Sequence, residues 1–148
     1  MSRFMLRAAV FILLIKDSKV LLAKRCNTDF YDGYYNLPCG HIDGGETATD
    51  ALIREAKEEV GIEIEHKNIE LNYTLHRFRT ANDGRFEYID LFFRVKKWKN
   101  KPENREPDKC DDLTWFKLDN LPKNLIPFHE KVIREIGKGK IYGEIGFK

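Results

Sequence analysis

Gly40 to Ile62 reads GHIDGGETATDALIREAKEEVGI, and the fold is decided there. Its centre, Arg54-Glu55-Ala56-Lys57-Glu58-Glu59, sets carboxylates at i, i+3 and i+4, which an α-helix gathers on one face. Thr47 can cap that helix with Asp50 as the capping-box acid, and Gly61 supplies the stop. Ala48, Ala51, Leu52 and Ala56 form an apolar stripe that should face a core. Projected at about 100° per residue, the carboxylates overlap the edge of that stripe. Acids gathered beside a buried face repel one another and lose hydration. A hard divalent cation such as Mg²⁺ resolves the conflict, because it prefers carboxylate oxygens. The plainer alternative is a solvated acidic helix with Arg54 and Lys57 as partners.

The flanking residues decide between the two. Gly40, five residues, Glu46, seven residues, Arg54-Glu55, then Glu58-Glu59, one residue, Gly61 and Ile62 together resemble the Nudix box. Every charged and glycine position of the box is filled, so the chain is identified as a member of the Nudix hydrolase family. The resemblance is specific from about Val20 to Ile62. It implies an α/β fold, the Nudix-type α/β/α sandwich with a mixed central sheet.

The 148 residues suit one domain, 1–148, with a core of its own. A net charge of +2 offers no electrostatic argument for a nucleic-acid polymer or a membrane surface as partner. Cys26, Cys39 and Cys110 are odd in number and lack CxxC spacing, so reduced thiols in a cytoplasmic protein are expected. Ala8–Ile15, an apolar run after Arg3 and Arg7, superficially suggests a signal peptide. Lys16-Asp17-Ser18-Lys19 follows at once without a cleavage site, and the run is too short to span a bilayer. A buried strand is the expectation.

In order along the chain, Ala8–Ile15 and Val20–Lys24 are expected as strands joined by a polar turn. Asn27–Tyr35 is a loop, and Tyr35–Ile42 one short strand before the bend Asp43-Gly44-Gly45. The box helix covers about Ala48 to Val60. Leu71–Phe78 and Phe86–Trp98 are strand-like, with Asp83-Gly84 as a hairpin signal. Leu75, Leu91, Phe92, Phe93 and Val95 would supply core. Lys99–Lys109 is a loop, Leu113–Leu118 a strand, and a second helix runs from Phe128 to Ile136. Its apolar face is Phe128, Val132, Ile133 and Ile136. The basic, glycine-rich tail from Lys138 carries no clear signal.

The resemblance also implies a chemistry: attack by water, with divalent metal, on a nucleoside diphosphate linked to a further group. By that resemblance Glu55, Glu58 and Glu59 are metal ligands, and Glu55 or Glu58 acts as, or orients, the general base. Arg54 supports a box carboxylate. In the MutT-like branch the carbonyl before the box glycine also meets metal. That residue is Cys39 here, where the family usually has glycine, so any backbone conformation with φ > 0 is in question. Cys39 as a nucleophile lacks a clear activating partner. Gly40, Gly44 and Gly45 are expected at bends.

Three further positions match the same branch. Arg25 stands where a phosphate is contacted, or is surface charge. Glu106 stands where another carboxylate meets metal, or is an exposed acid. Asn124 stands where the purine base is read, or simply caps a helix. The expectation is a Mg²⁺-dependent pyrophosphohydrolase, with Mn²⁺ as a possible substitute, cleaving nucleoside triphosphates, canonical or oxidised, to monophosphate and pyrophosphate. Its partner is a small nucleotide, and its state a monomer or homodimer. The alternatives are hydrolysis of ADP-ribose, nucleotide sugars or dinucleoside polyphosphates, or nucleotide binding without turnover. ADP-ribose hydrolases of the family carry a proline shortly after the box; none occurs here between Gly61 and Lys101.

Overall fold

A computed structural model describes residues 2–81 and 84–147. At its centre is β1 (Arg7–Lys16), whose residues 9 to 14 are all buried. The reason is that both faces of this strand are covered. Ala9, Phe11 and Leu13 point into one core with Phe92, Tyr73, Phe128, Val132 and Ile133. Val10, Ile12 and Leu14 point into a second core with Ala51, Leu52, Ala56, Val60 and Ile62. A strand buried on both sides needs a continuous apolar run rather than an alternating one, which is what Ala8–Ile15 provides.

β1 turns into β2 (Lys19–Arg25) through Asp17 and Ser18, both left-handed at φ 53° and 60°. That pairing of conformations is the two-residue hairpin turn whose twist matches the strands it joins. Beyond Lys16 and Ile15 the two strands part. β1 continues into a mixed sheet, parallel to β6 (Gly84–Val95), which pairs antiparallel with β5 (Ile69–Ala81). β2 pairs antiparallel with β3 (Tyr35–Asn36) on one side and β7 (Cys110–Lys117) on the other. Among the described residues eight strands form one connected network between two helices, α1 (Ala48–Val60) and α2 (Pro127–Gly137).

The structure departs from the sequence reading in three places. Tyr35–Ile42 is two strands, because Leu37-Pro38 interrupts it: β3 joins β2, while β4 (Cys39–His41) crosses to the edge of β1. Proline has no N–H for a ladder, but Pro38 offers its carbonyl to Ile12 N at 2.9 Å. Phe86–Trp98 ends earlier as a strand, at Val95. The tail holds a strand the sequence did not signal, β8 (Tyr142–Ile145), parallel to β5. At the expected hairpin Ala81 faces Gly84; Asp83 lies outside the described residues. Among the described residues no helix is long and apolar enough to cross a membrane.

Candidate active site

α1 begins where Thr47 Oγ1 accepts the Asp50 N–H at 3.0 Å. It ends at Gly61, whose φ of 69° lets its N–H turn back to the Ala56 and Lys57 carbonyls. Between these caps Ala51, Leu52, Ala56 and Val60 are buried against the sheet. Burial of that stripe fixes the rotation of the helix, and the rotation carries Glu55 and Glu59 to the edge of β4 and β1.

There they face a cleft of about 590 Å³, walled also by Arg25, Cys39, Gly40, Glu58, Glu106 and Lys109. A recess of about 120 Å³ shares Arg25, Cys39, Glu59 and Glu106 with it. A larger groove, about 870 Å³, opens at the far end of β1 among lysines, Trp98 and Trp115, with Asp17 its one acid among the described residues. Size therefore does not pick out the chemistry; the carboxylates do.

The acids differ from one another. Glu59 accepts the Cys39 backbone N–H at 3.1 Å. Burial raises its pKa well above the ordinary carboxylate value, and Glu55 and Glu106 push it further. Burial also raises Glu55, partly offset by Arg54. Glu58 is half-exposed, at 52%. Arg54 forks onto Glu46, with 2.8 Å and 3.2 Å contacts, and reaches Glu55 Oε1 at 2.8 Å and Glu58 at 3.5 Å. It also donates to the His41 carbonyl at 3.2 Å, which ties the helix to the end of β4. Arg54 thus fixes where the carboxylates sit.

Gly40 has a different task from the expected bend. It lies within β4, and a Cβ there would stand 2.1 Å from Glu55 Cδ and 2.3 Å from Oε1. The missing side chain is the space Glu55 occupies. Gly44 and Gly45 do lie in a turn.

Cys39 is absent from the left-handed residues, so a side chain is accommodated there without backbone strain. Burial, then the Glu59 charge, pushes its thiol pKa far up, which keeps it protonated. A protonated thiol is a poor nucleophile.

Arg25 donates from Nε to the Phe30 carbonyl at 2.7 Å while lining the cleft. With the Asn36 amide oriented to satisfy both its ends, Arg25 Nη1 also donates to Asn36 at 3.1 Å. Asn124 is placed elsewhere. Its amide nitrogen donates to Gly33 O at 3.0 Å, and its carbonyl accepts from Tyr35 N at 2.8 Å. It clasps the aromatic loop and is not part of the cleft wall.

Arg77, Arg79 and His129 line the cleft without having been singled out in the sequence. Arg77 is buried and forks to Asp90 at 2.6 and 3.2 Å. His129 accepts the Leu37 N–H on Nδ1 at 3.0 Å; burial, then Arg77 and Arg25, drive its pKa down, so the ring is neutral. The available signals were a histidine on the apolar face of α2 and the alternation of Arg77, Phe78 and Arg79.

The donor set suits a hard cation: several carboxylates, two of them raised by burial, facing one another across a cleft. Among the described residues no three acidic, histidine or cysteine side chains already converge as a metal cage. Glu55 is instead drawn to Arg54 and Glu59 to Cys39 N.

The chain is similar to several known proteins. An archaeal protein of Methanocaldococcus jannaschii, named ADP-ribose pyrophosphatase, is 34% identical over 140 residues, covering 93% of this chain and 78% of its own. An 8-oxo-dGTP diphosphatase of Proteus vulgaris is 30% identical over 102 residues, 68% of this chain and 85% of that one. The crystal structure of a MutT NUDIX hydrolase from Burkholderia pseudomallei superposes with a TM-score of 0.79 at 27% identity, covering 88% of this chain and 98% of the other. The NUDIX domain profile matches residues 5–136, and with the box helix set as described this chain belongs to the NUDIX hydrolase family.

Proposed function

We propose that the chain hydrolyses a phosphoric anhydride in a nucleoside diphosphate linked to a further group, with Mg²⁺ held by the box glutamates and Mn²⁺ able to replace it. One observation carries the proposal: Glu55, Glu59 and Glu106 line one cleft, where burial and the neighbouring Glu55 and Glu106 charges raise the Glu59 pKa well above the ordinary carboxylate value. When bound, the cation neutralises the anhydride and eases ionisation of water. Glu55, Glu58, Glu59, Glu106 and the Cys39 carbonyl would hold it.

The chain's own residues do the rest. Glu55 or Glu58 takes the proton from the attacking water. Arg54 keeps Glu55 aimed by the 2.8 Å contact, a positioning rather than a reacting role. Arg25, in the same cleft wall, meets a phosphate oxygen. Neutral His129 and the buried aromatics close the floor and exclude bulk water.

Two finer readings compete. Cleavage of nucleoside triphosphates to monophosphate and pyrophosphate is supported by Arg25 and Glu106 both lining the cleft, and by the similarity to the Proteus enzyme. Hydrolysis of ADP-ribose is supported by similarity to the archaeal enzyme over 93% of this chain, and by Asn124 facing Gly33 instead of a base. The longer match moves the balance to ADP-ribose, against the missing proline after the box. A panel of ATP, dGTP, 8-oxo-dGTP, ADP-ribose and diadenosine tetraphosphate with Mg²⁺, with products identified, decides. AMP and ribose 5-phosphate mark the ADP-ribose reading, and pyrophosphate the triphosphate reading. No Mg²⁺-dependent turnover of any of them, or orthophosphate alone from ATP, would sink the proposal.

A further inference from the structure

Three strands set arginines and aromatic rings in register on one face of the mixed sheet. Arg77 of β5 stands opposite Tyr88 of β6, which stands beside Arg7 of β1; Arg79 stands opposite Phe86. Their side chains interleave. Arg79 lies over Phe30 at 4.5 Å and over Phe86 at 5.4 Å, and Arg7 lies over the Phe86 ring at 4.1 Å. The stack starts inside the cleft, where Phe30 and Arg79 form part of the wall, and leaves it at Phe86 and Arg7.

Arg77 is already committed to Asp90. Arg7 is not comparable: it is exposed, donates to Tyr88 Oη at 3.4 Å, and pairs with no carboxylate among the described residues. A guanidinium held over a ring by its charge still has N–H donors to offer. Those donors are what a phosphate accepts in pairs. Because Arg7 already rests against Phe86, less freedom is lost when an anion docks. The α1 carboxylates and the Arg79 guanidinium thus line one cleft, and Arg7 lies just beyond it on the same stack.

We propose that the Phe30–Arg79–Phe86–Arg7 stack binds a second phosphate of the substrate, one carried beyond the anhydride that is cleaved. This rests on the proposed function and adds to it a substrate class: nucleotides with an additional phosphate on the nucleoside's own ribose, as a monoester or as the diester joining a second nucleotide. A site for the scissile anhydride alone has no use for Arg7, which lies outside the cleft wall.

The test compares two substrate pairs with Mg²⁺, ADP-ribose against its 2′-phosphate and ATP against the dinucleotide pppApA. Wild-type protein should prefer the phosphate-bearing member of at least one pair. Arg7→Gln should lower that preference in kcat/KM about tenfold, through KM rather than kcat. Added salt should erode the preference as well, because Arg7 is exposed. Phe86→Leu keeps apolar volume but removes the ring, and should weaken the preference with Arg7 still present. Preference for the 2′-phosphate assigns a monoester, and preference for pppApA a diester. No preference in either pair, or the same preference in Arg7→Gln, overturns the proposal. If nothing is turned over, the proposed function fails; calorimetric binding of the same pairs to wild type and Arg7→Gln then decides the subsite by the same ratio.

Discussion

Gly40→Ala separates stability from catalysis at one atom. The added Cβ would stand 2.1 Å from Glu55 Cδ, whereas ordinary contact begins at 3.4 Å, so the carboxyl must retreat by more than an ångström. The group in the way is the end of a flexible side chain, not backbone, and Gly40 has no left-handed φ for alanine to oppose. Glu55 can swing aside, at the cost of its 2.8 Å contact with Arg54. The expected loss of stability is about 1 kcal/mol, the low end for overpacking. For a chain of this length that is about 2–4 °C in Tm. Turnover should fall much further, about 100-fold, the scale set by misplacing a reacting group by an ångström. Melting curves and kcat/KM for the best substrate of the panel measure both effects. The double mutant Gly40→Ala/Glu55→Ala supplies the control: with Glu55 cut back the clash is gone, so it should be no slower than Glu55→Ala alone. Wild-type turnover in Gly40→Ala, or fully additive losses in the double mutant, would refute the close-approach argument.

Glu59→Gln should abolish most turnover yet stabilise the metal-free protein, since Gln keeps an oxygen for the Cys39 N–H. The folded-state pKa of Glu59 lies well above 4.5, so the native state holds this proton more tightly than the unfolded one. Metal-free wild type should therefore lose stability as pH rises from about 4.5 through the folded-state value, and the variant should lack that component, as denaturant titrations across pH will show. Glu106→Gln should raise the Mg²⁺ concentration for half-maximal rate by about tenfold; an unchanged metal titration returns Glu106 to a surface acid. Asn124→Ala should cost about 1 kcal/mol through the lost bond to Gly33 and leave the ranking of bases alone. A changed ranking in the substrate panel would restore Asn124 to base reading.

How much of this was legible depended on how local each signal is. The box helix was readable because its caps, apolar stripe and acids fall within one stretch of chain, and β1 because burial on two faces demands an unbroken apolar run. The interruption at Pro38 was also present in the sequence, but which strand each half joins depends on distant partners. β8 was invisible because Tyr142–Ile145 contains a glycine and sits among basic residues; it exists through its pairing with β5, far back along the chain. The grouping of Arg7, Arg77 and Arg79 escaped notice for the same reason, since only the registers of β1, β5 and β6 bring them together. The bond from Asn124 to Gly33 was not legible because the two lie 91 positions apart.

The double burial of β1 also bears on how the chain emerges from the ribosome. Arg7 pairs with Tyr88 and Leu14 with Val95, so the parallel partner of β1 is made roughly 80 residues later. At synthesis rates of about 5–20 residues per second, the most apolar strand waits about 4–16 s for that neighbour. Its early contacts are β2 and β4, which touch it only at the Ile15–Val20 end and along Ala9–Phe11. Neither closes the ladder along Ile12–Leu14, so that segment remains open to pairing with another nascent chain until β6 arrives.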